Sequence, residues 1–218
     1  MLHIYLTRHG ETEWNIQNRL QGWKDSPLTS KGINDAKALS QKISGIRFQS
    51  IYSSPSMRAL NTAKILSGVN DIPIFLDENL REINFGEWEG KTKSEINERF
   101  ENEFSSLWES PSAYNHLPHN GESLKNVRNR VEEVLKNIIE TNKDGNVLIV
   151  THAVIVATII AYFKNSPIEK LWDIPFVHGT CLTHIEIDVE NEHLNLKLLC
   201  DTAHLQESKY FKNTPNNK

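Results

Sequence analysis

The chain has 218 residues, 38% of them hydrophobic and 24% charged, with a formal net charge of -4 at pH 7. This is globular composition, with enough chain for one sizeable core. No basic excess is present to recruit nucleic acid or an anionic membrane, so neither is expected as a partner.

The longest apolar run, Val147 to Ile160, is interrupted by Thr151 and His152 and falls short of bilayer length. The first apolar stretch ends at Arg8 with no basic region before it and no small-residue cleavage site, which argues against a signal peptide. Cys181 and Cys200 stand in no metal-type spacing. They read as free thiols in a reducing cytoplasm, or as cross-strand neighbours.

In chain order, Leu2–Thr7 reads as a short buried strand. Thr29 or Ser30 can cap a helix with apolar positions Ile33, Ala36, Leu39 and Ile43. Ser50–Ser53 reads as a second strand, Met57–Leu66 as a helix after Pro55, and Ile72–Leu76 as a third strand. Glu95–Trp108 carries one apolar stripe and reads as a helix; Ser110–Gly121 reads as a loop. Ser123 can cap a helix striped by Leu124, Val127, Val131, Val134, Leu135 and Ile138, which Gly145 is expected to end. Asn146–Thr151 is a near-continuous apolar strand, and Ala153–Phe163 suits a buried helix. Thr183–Asp188 and Leu194–Leu198 alternate, and Glu190-Asn191-Glu192 between them suggests a hairpin. The tail from residue 206 to 218 is polar and expected to fray.

Strands alternating with helices predict an α/β fold: a three-layer sandwich with a mostly parallel central sheet and helices on both faces. Residues 1–205 are expected to form a single domain, with 91–121 as a substrate-capping insertion. In such sheets, ligands bind beyond the carboxyl ends of the strands. Arg8-His9 follows the first strand, Ser53-Ser54-Pro55 and Arg58 the second, and His152 the strand Val147–Val150. Three separate stretches thus deliver cationic-capable residues to one sheet edge.

Two guanidinium forks, Arg8 and Arg58, match phosphate oxygens in pairs. They also favour neutral histidine, because a further cation is repelled. A neutral imidazole nitrogen is a nucleophile without a separate base. A phosphohistidine intermediate fits, with one histidine attacking phosphorus and the other binding oxygens alongside the arginines. The leaving alkoxide needs a carboxylic acid of raised pKa. Glu82, beside Ile83 and Phe85, is the favoured acid; Glu87 and Glu89 are neighbouring alternatives.

Arg8-His9-Gly10-Glu11-Thr12 with Trp14-Asn15 resembles the signature of the histidine phosphatase superfamily, the phosphoglycerate mutase-like enzymes. So do Ser53-Ser54-Pro55 with Arg58-Ala59 and Thr62-Ala63, the stretch Glu82 to Gly90, Gly121-Glu122-Ser123, and Val150-Thr151-His152. The blocks occur in family order. The resemblance implies a phosphoglycerate mutase-like fold, His9 as the phosphorylated residue, Arg8, Arg58 and His152 as the phosphate pocket, and Glu82 as proton donor. Asn15, Gln21 and Gly22 fall where family members contact phosphate or substrate. No metal and no cofactor are implied. Ala153 departs from the glycine usual after the second histidine and could crowd the pocket floor; tolerance is expected.

The superfamily holds mutases and phosphatases. The stretch from Glu82 to Gly121 lacks the longer insertion of the cofactor-dependent mutases, and Glu82 to Gly90 resembles the phosphatase branch. The expected function is a metal-independent phosphomonoesterase acting on small phosphorylated metabolites, as monomer or homodimer. The alternatives are a phosphoglycerate mutase, which would need 2,3-bisphosphoglycerate as primer, and an idle phosphoryl-binding module. His116 and His119 read as ordinary loop residues, and His178, His184 and His193 as surface residues. Trp108 and Tyr114 either face substrate or pack the insertion.

Overall fold

The apolar runs of the sequence assemble into one six-stranded sheet in the order β3-β2-β4-β1-β5-β6. The computed structural model describes residues 1–68, 72–188, 191 and 193–206. The strands are β1 (Leu2–Arg8), β2 (Phe48–Ser53), β3 (Ile74–Leu76), β4 (Gly145–Thr151), β5 (Leu182–Asp188) and β6 (His193–Asp201). The first four run parallel; β5 pairs antiparallel with β1, and β6 antiparallel with β5.

Helices cover both faces, as the alternating pattern requires. On one face lie α2 (Ser30–Lys42) and α3 (Met57–Ser67), whose Leu39, Ala59 and Ala63, with the α2 C-cap Ile43, pack with Ile51, Leu148 and Val150. On the other lie α5 (Leu124–Thr141) and α6 (Ala153–Phe163), packed with Leu2, Ile4, Leu6, Val147 and Ile149. The alternation of Leu148 with Val147 and Ile149 between the two clusters is the period-two geometry of a strand buried on both sides. The chain therefore has the expected three-layer α/β architecture.

Several boundaries differ from the sequence reading. Thr29, not Ser30, caps α2, with its hydroxyl accepting from Gly32 N. Helix α4 (Lys93–Glu109) starts earlier because Thr92 and Glu95 form a capping box, and it kinks at Phe100. Gly145 does not end α5: the helix stops at Thr141 with Asn142 as C-cap, and Gly145 opens β4. A four-residue helix, α1 (Glu13–Ile16), carries no apolar stripe and escaped the sequence reading; so did the short α7 (Ala203–Gln206). The suggested hairpin turn includes Glu190 and Glu192, which lie outside the described residues, as does the tail from 207.

The loop 110–121 holds two 3-10 turns and one buried group that the sequence did not announce. His119 is not an ordinary loop residue. It is fully buried, stacks 3.6 Å from Trp88, and bonds Phe85 O through Nδ1 and Tyr114 Oη through Nε2. Tyr114 thus packs the segment. His184 is likewise half-buried and stacked on Tyr5, not a free surface residue.

Candidate active site

Strand register brings the polar residues together. β4 lies between β1 and β2, so Arg8 pairs with Thr151 and Ser53 with Val150 at the same end of the sheet. His9 N bonds Thr151 O at 2.9 Å and Ser54 N bonds Val150 O at 3.1 Å. The chain leaves all three strands at one level, and His9, Ser54 and His152 become neighbours there. The rings of His9 and His152 stand 5.2 Å apart at 61°.

His9 is held in one tautomer. Its Nδ1 lies 2.7 Å from Gly10 O, and a carbonyl only accepts, so Nδ1 carries the proton. Nε2 is then a lone pair, and it accepts from Arg58 Nε at 3.2 Å. Burial first, then Arg58 and Arg8, hold the His9 pKa well below the ordinary 6.5. The imidazole is therefore neutral and nucleophilic at neutral pH. Gly10 is required by close approach: a Cβ there would lie 2.6 Å from Gly32 O.

Arg58 is almost fully buried on α3, contrary to a solvated helix face. Its outer nitrogens are already engaged. NH1 donates to Lys24 O at 2.8 Å and Asp25 Oδ1 at 3.0 Å, and NH2 to Gly22 O at 2.8 Å. The expected free fork is thus used to fasten the 22–25 loop, and Nε is the donor presented to His9. Gly22 adopts φ +56, and a Cβ there would lie 2.2 Å from Glu89 Oε1. Arg8 donates NH1 to Val177 O at 2.8 Å, while its buried Nε has no partner among the described residues.

Glu82 lines the same cleft and is 7% exposed. Burial raises its pKa above 4.5, against the opposing pull of the Ile83 N–H, Arg58 and Arg8. Its oxygens accept from Ile83 N at 3.1 Å and Val154 N at 3.4 Å, the latter at the N-terminus of α6. Glu87 and Glu89 are otherwise occupied. Glu89 accepts from Trp23 N, Lys24 N and Phe85 N, and Glu87 pairs with Arg99 and Asn120.

His152 is fully buried as the N-cap of α6. Its Nε2 lies 2.8 Å from Ser54 Oγ, and its Nδ1 has no partner among the described residues. Burial, Arg58, His9 and Arg8 together keep it neutral. Gln21 Oε1 is a further buried atom without a partner among the described residues. Asn15 lines the cleft, with Oδ1 spent on the α1 capping box and its amide NH2 left as donor. Ala153 also lines the cleft as the first residue of α6.

The cleft measures about 500 Å³. One end is the cationic pocket; the rest is apolar, walled by Leu20, Phe85, Trp108, Trp172, Ile174 and Phe176. Trp108 thus faces the cleft, its ring 4.9 Å from that of Trp172 and tilted by 37°. The segment 172–177 was missed because its apolar residues follow no helical or strand period. Arg130 was missed as well. It sits among core residues of α5, pairs with Glu122, and donates to the carbonyls of Asn79, Arg81 and Glu82. Its signal was a cation inside an amphipathic stripe. Arg130 pins the backbone that carries the candidate acid.

Among known proteins, the Bacillus stearothermophilus protein YhfR has a solved structure that superimposes with a TM-score of 0.89 at 42% identity, covering 94% of this chain and all of that one. Phosphoserine phosphatase 1 of Hydrogenobacter thermophilus is 30% identical over 208 residues, 95% of this chain and 96% of the relative. "Probable phosphoglycerate mutase GpmB" of Proteus mirabilis is 30% identical over 167 residues, 77% of each chain. Residues 4–201 match the histidine phosphatase superfamily, branch 1. The chain belongs to that superfamily.

Proposed function

We propose that the protein is a phosphomonoesterase that works through a phosphohistidine on His9. The observation that carries this reading is the tautomer of His9, whose Nε2 lone pair faces the cleft, where among the described residues it accepts only from Arg58 Nε, with Glu82, its pKa raised by burial, lining the same cleft. In the first step, Nε2 bonds to phosphorus as the ester P–O bond breaks, and the leaving oxygen takes the Glu82 proton. In the second, the Glu82 carboxylate accepts a proton from water, which attacks phosphorus and releases His9. Arg8 Nε, Arg58 Nε and His152 Nδ1 supply the contacts to phosphoryl oxygens; two of these atoms have no protein partner among the described residues. No step in this scheme requires a metal or an organic cofactor.

The lining of the cleft favours a phosphatase over a mutase. The cleft beyond the cationic pocket is an aromatic and aliphatic wall, and Arg19 at its rim is engaged by Gly90 O and Glu95. An apolar or aromatic ester buries against this wall, whereas the second anion of a phosphoglycerate gains nothing from it. The substrate class is accordingly a small phosphorylated metabolite with an apolar portion. Among the described residues no helix is long and apolar enough to cross a membrane, and both thiols are free. A cytoplasmic enzyme fits these features.

The test is phosphate release from an aryl phosphate in the presence of EDTA, beside 3-phosphoglycerate primed with 2,3-bisphosphoglycerate. Hydrolysis of the aryl ester with little isomerisation supports the reading. Efficient isomerisation with negligible hydrolysis overturns it.

A further inference from the structure

At the opposite end of β1 from His9, three potential ligands converge. His3 pairs across the antiparallel β1/β5 ladder with Glu186, and Tyr5 with His184. Residues two apart on a strand share a face, so His3, His184 and Glu186 crowd together on one side of the sheet. His3 Nδ1 lies 3.1 Å from His184 Nε2 and 3.8 Å from Glu186 Oε1, and the three donor atoms all fall within 4.8 Å of one another. Among the described residues this is the one group of three or more such side chains with that spacing.

The separations match a coordination polyhedron. A tetrahedral Zn²⁺ with bonds of about 2.0–2.1 Å spaces its ligand atoms about 3.3 Å apart. The observed 3.1 and 3.8 Å lie on either side of that spacing. The supports are also in place. His184 is stacked on Tyr5 at 4.2 Å and 6°, and Tyr5 is braced edge-on by Phe48, which fixes the imidazole plane. The second carboxylate oxygen of Glu186 is held by Lys197 at 3.6 Å and Asn195 at 3.4 Å. Such outer partners orient ligands and are as much part of a metal site as the ligands themselves. The three side chains are half-buried, so water can complete the shell.

We propose that His3, His184 and Glu186 form a binding site for a divalent transition metal of the Zn²⁺ class, tying β1 to β5. Two imidazoles with one carboxylate suit a borderline cation, not the all-oxygen shells of Mg²⁺ or Ca²⁺. Without metal, one imidazole must donate a proton to the other. With metal, His3 Nδ1 and His184 Nε2 both present lone pairs, and each ring keeps its proton on the remaining nitrogen. The site lies six residues along β1 from His9, about 20 Å at strand rise. It is therefore separate from the proposed phosphoryl chemistry. Its role is to stabilise the fold where the parallel and antiparallel parts of the sheet meet, since a ligand that binds only the folded chain raises its stability.

The experiment is a titration of the full chain, stripped with EDTA, with ZnCl₂, by calorimetry and thermal melting. The wild type is expected to bind one ion with at least micromolar affinity and to melt higher with it. His3→Gln and Glu186→Gln are each expected to weaken binding at least about tenfold. Both should keep the aryl phosphatase rate measured in EDTA. Histidine ring signals of the wild type, followed by NMR during the same titration, make the test independent of how the variants fold: His3 and His184 should shift first. Absence of saturable binding at 100-fold excess, unchanged affinity in both variants, or shifts confined to other histidines overturns the proposal. A failure of phosphatase activity leaves these readouts untouched.

Discussion

Arg58 donates its Nε–H to Nε2 of His9 across 3.2 Å, while its other nitrogens fasten the loop that carries Gly22, Lys24 and Asp25. One buried guanidinium therefore touches the proposed nucleophile and holds a cleft wall at once. Arg58→Lys keeps a charge but loses the fork, so it cannot do both. We expect kcat to fall about 10²–10³-fold, the effect of removing one preorganised donor. Steady-state kinetics on an aryl phosphate checks this; a rate near wild type contradicts the placement of Arg58.

The titration of two groups sets the pH dependence. The competent form has His9 neutral and Glu82 protonated. His9 is held well below 6.5 by burial, Arg58 and Arg8, and Glu82 is raised above 4.5 by burial. Activity should rise with pH as His9 loses its proton and decline as Glu82 loses its own. Glu82→Gln should abolish the alkaline decline. Its loss in the single-turnover rate of His9 phosphorylation should be large for alkyl esters and small for a nitrophenyl ester, whose leaving group needs no proton.

Stability should follow the histidines. His9 and His152 are both buried with lowered pKa values, so the unfolded chain takes up protons below 6.5 that the folded chain does not. The folded state is at full advantage above that value and loses it as pH falls through it. Melting temperature should therefore fall on acidification below about pH 6.5. A flat melting profile between neutrality and pH 5 contradicts the buried neutral pair.

Arg130 donates to the carbonyls of Asn79, Arg81 and Glu82 without lining the cleft. It is a positioning residue. Arg130→Met should lower kcat about 10–10²-fold through misplacement of Glu82. The loss in the single-turnover phosphorylation rate should again be larger for alkyl than for nitrophenyl esters. Equal losses on both would assign Arg130 a purely structural role.

Trp108 reaches the cleft from α4 and packs against Trp172 from a separate segment. Trp108→Ala should raise KM for naphthyl phosphate about tenfold or more, the order expected for losing apolar contact in a pocket. KM for a small polar ester such as glycerol phosphate should change little. A uniform change across both substrates contradicts the apolar subsite.

The sheet and its active edge were legible because each depends on local pattern. Apolar runs fixed β1, β2 and β4, and the polar residues directly after them had to lie beyond the strand ends. His9, Arg58 and His152 were placed together on that argument, whereas Glu82 was singled out from Glu87 and Glu89 by the family resemblance. Other features depend on tertiary partners that no local pattern encodes. The 172–177 wall has no periodicity. Arg130 breaks the apolar stripe of α5, but the carbonyls that it serves come from another segment. His119 is polar in a loop of prolines, yet it is buried by the face of Trp88. His3 and His184 are 181 positions apart and meet only through strand pairing. The fork of Arg58 was expected to be free; its engagement depends on a left-handed glycine 36 positions earlier.

The most direct measurement is rapid-quench trapping of the phosphoenzyme from a radiolabelled phosphomonoester, in wild type and His9→Ala. The account predicts one acid-labile, alkali-stable phosphoryl group per chain, mapped to His9, in the wild type. It predicts neither label nor turnover in a His9→Ala protein that still folds. Label on another residue, or steady hydrolysis by folded His9→Ala, contradicts it.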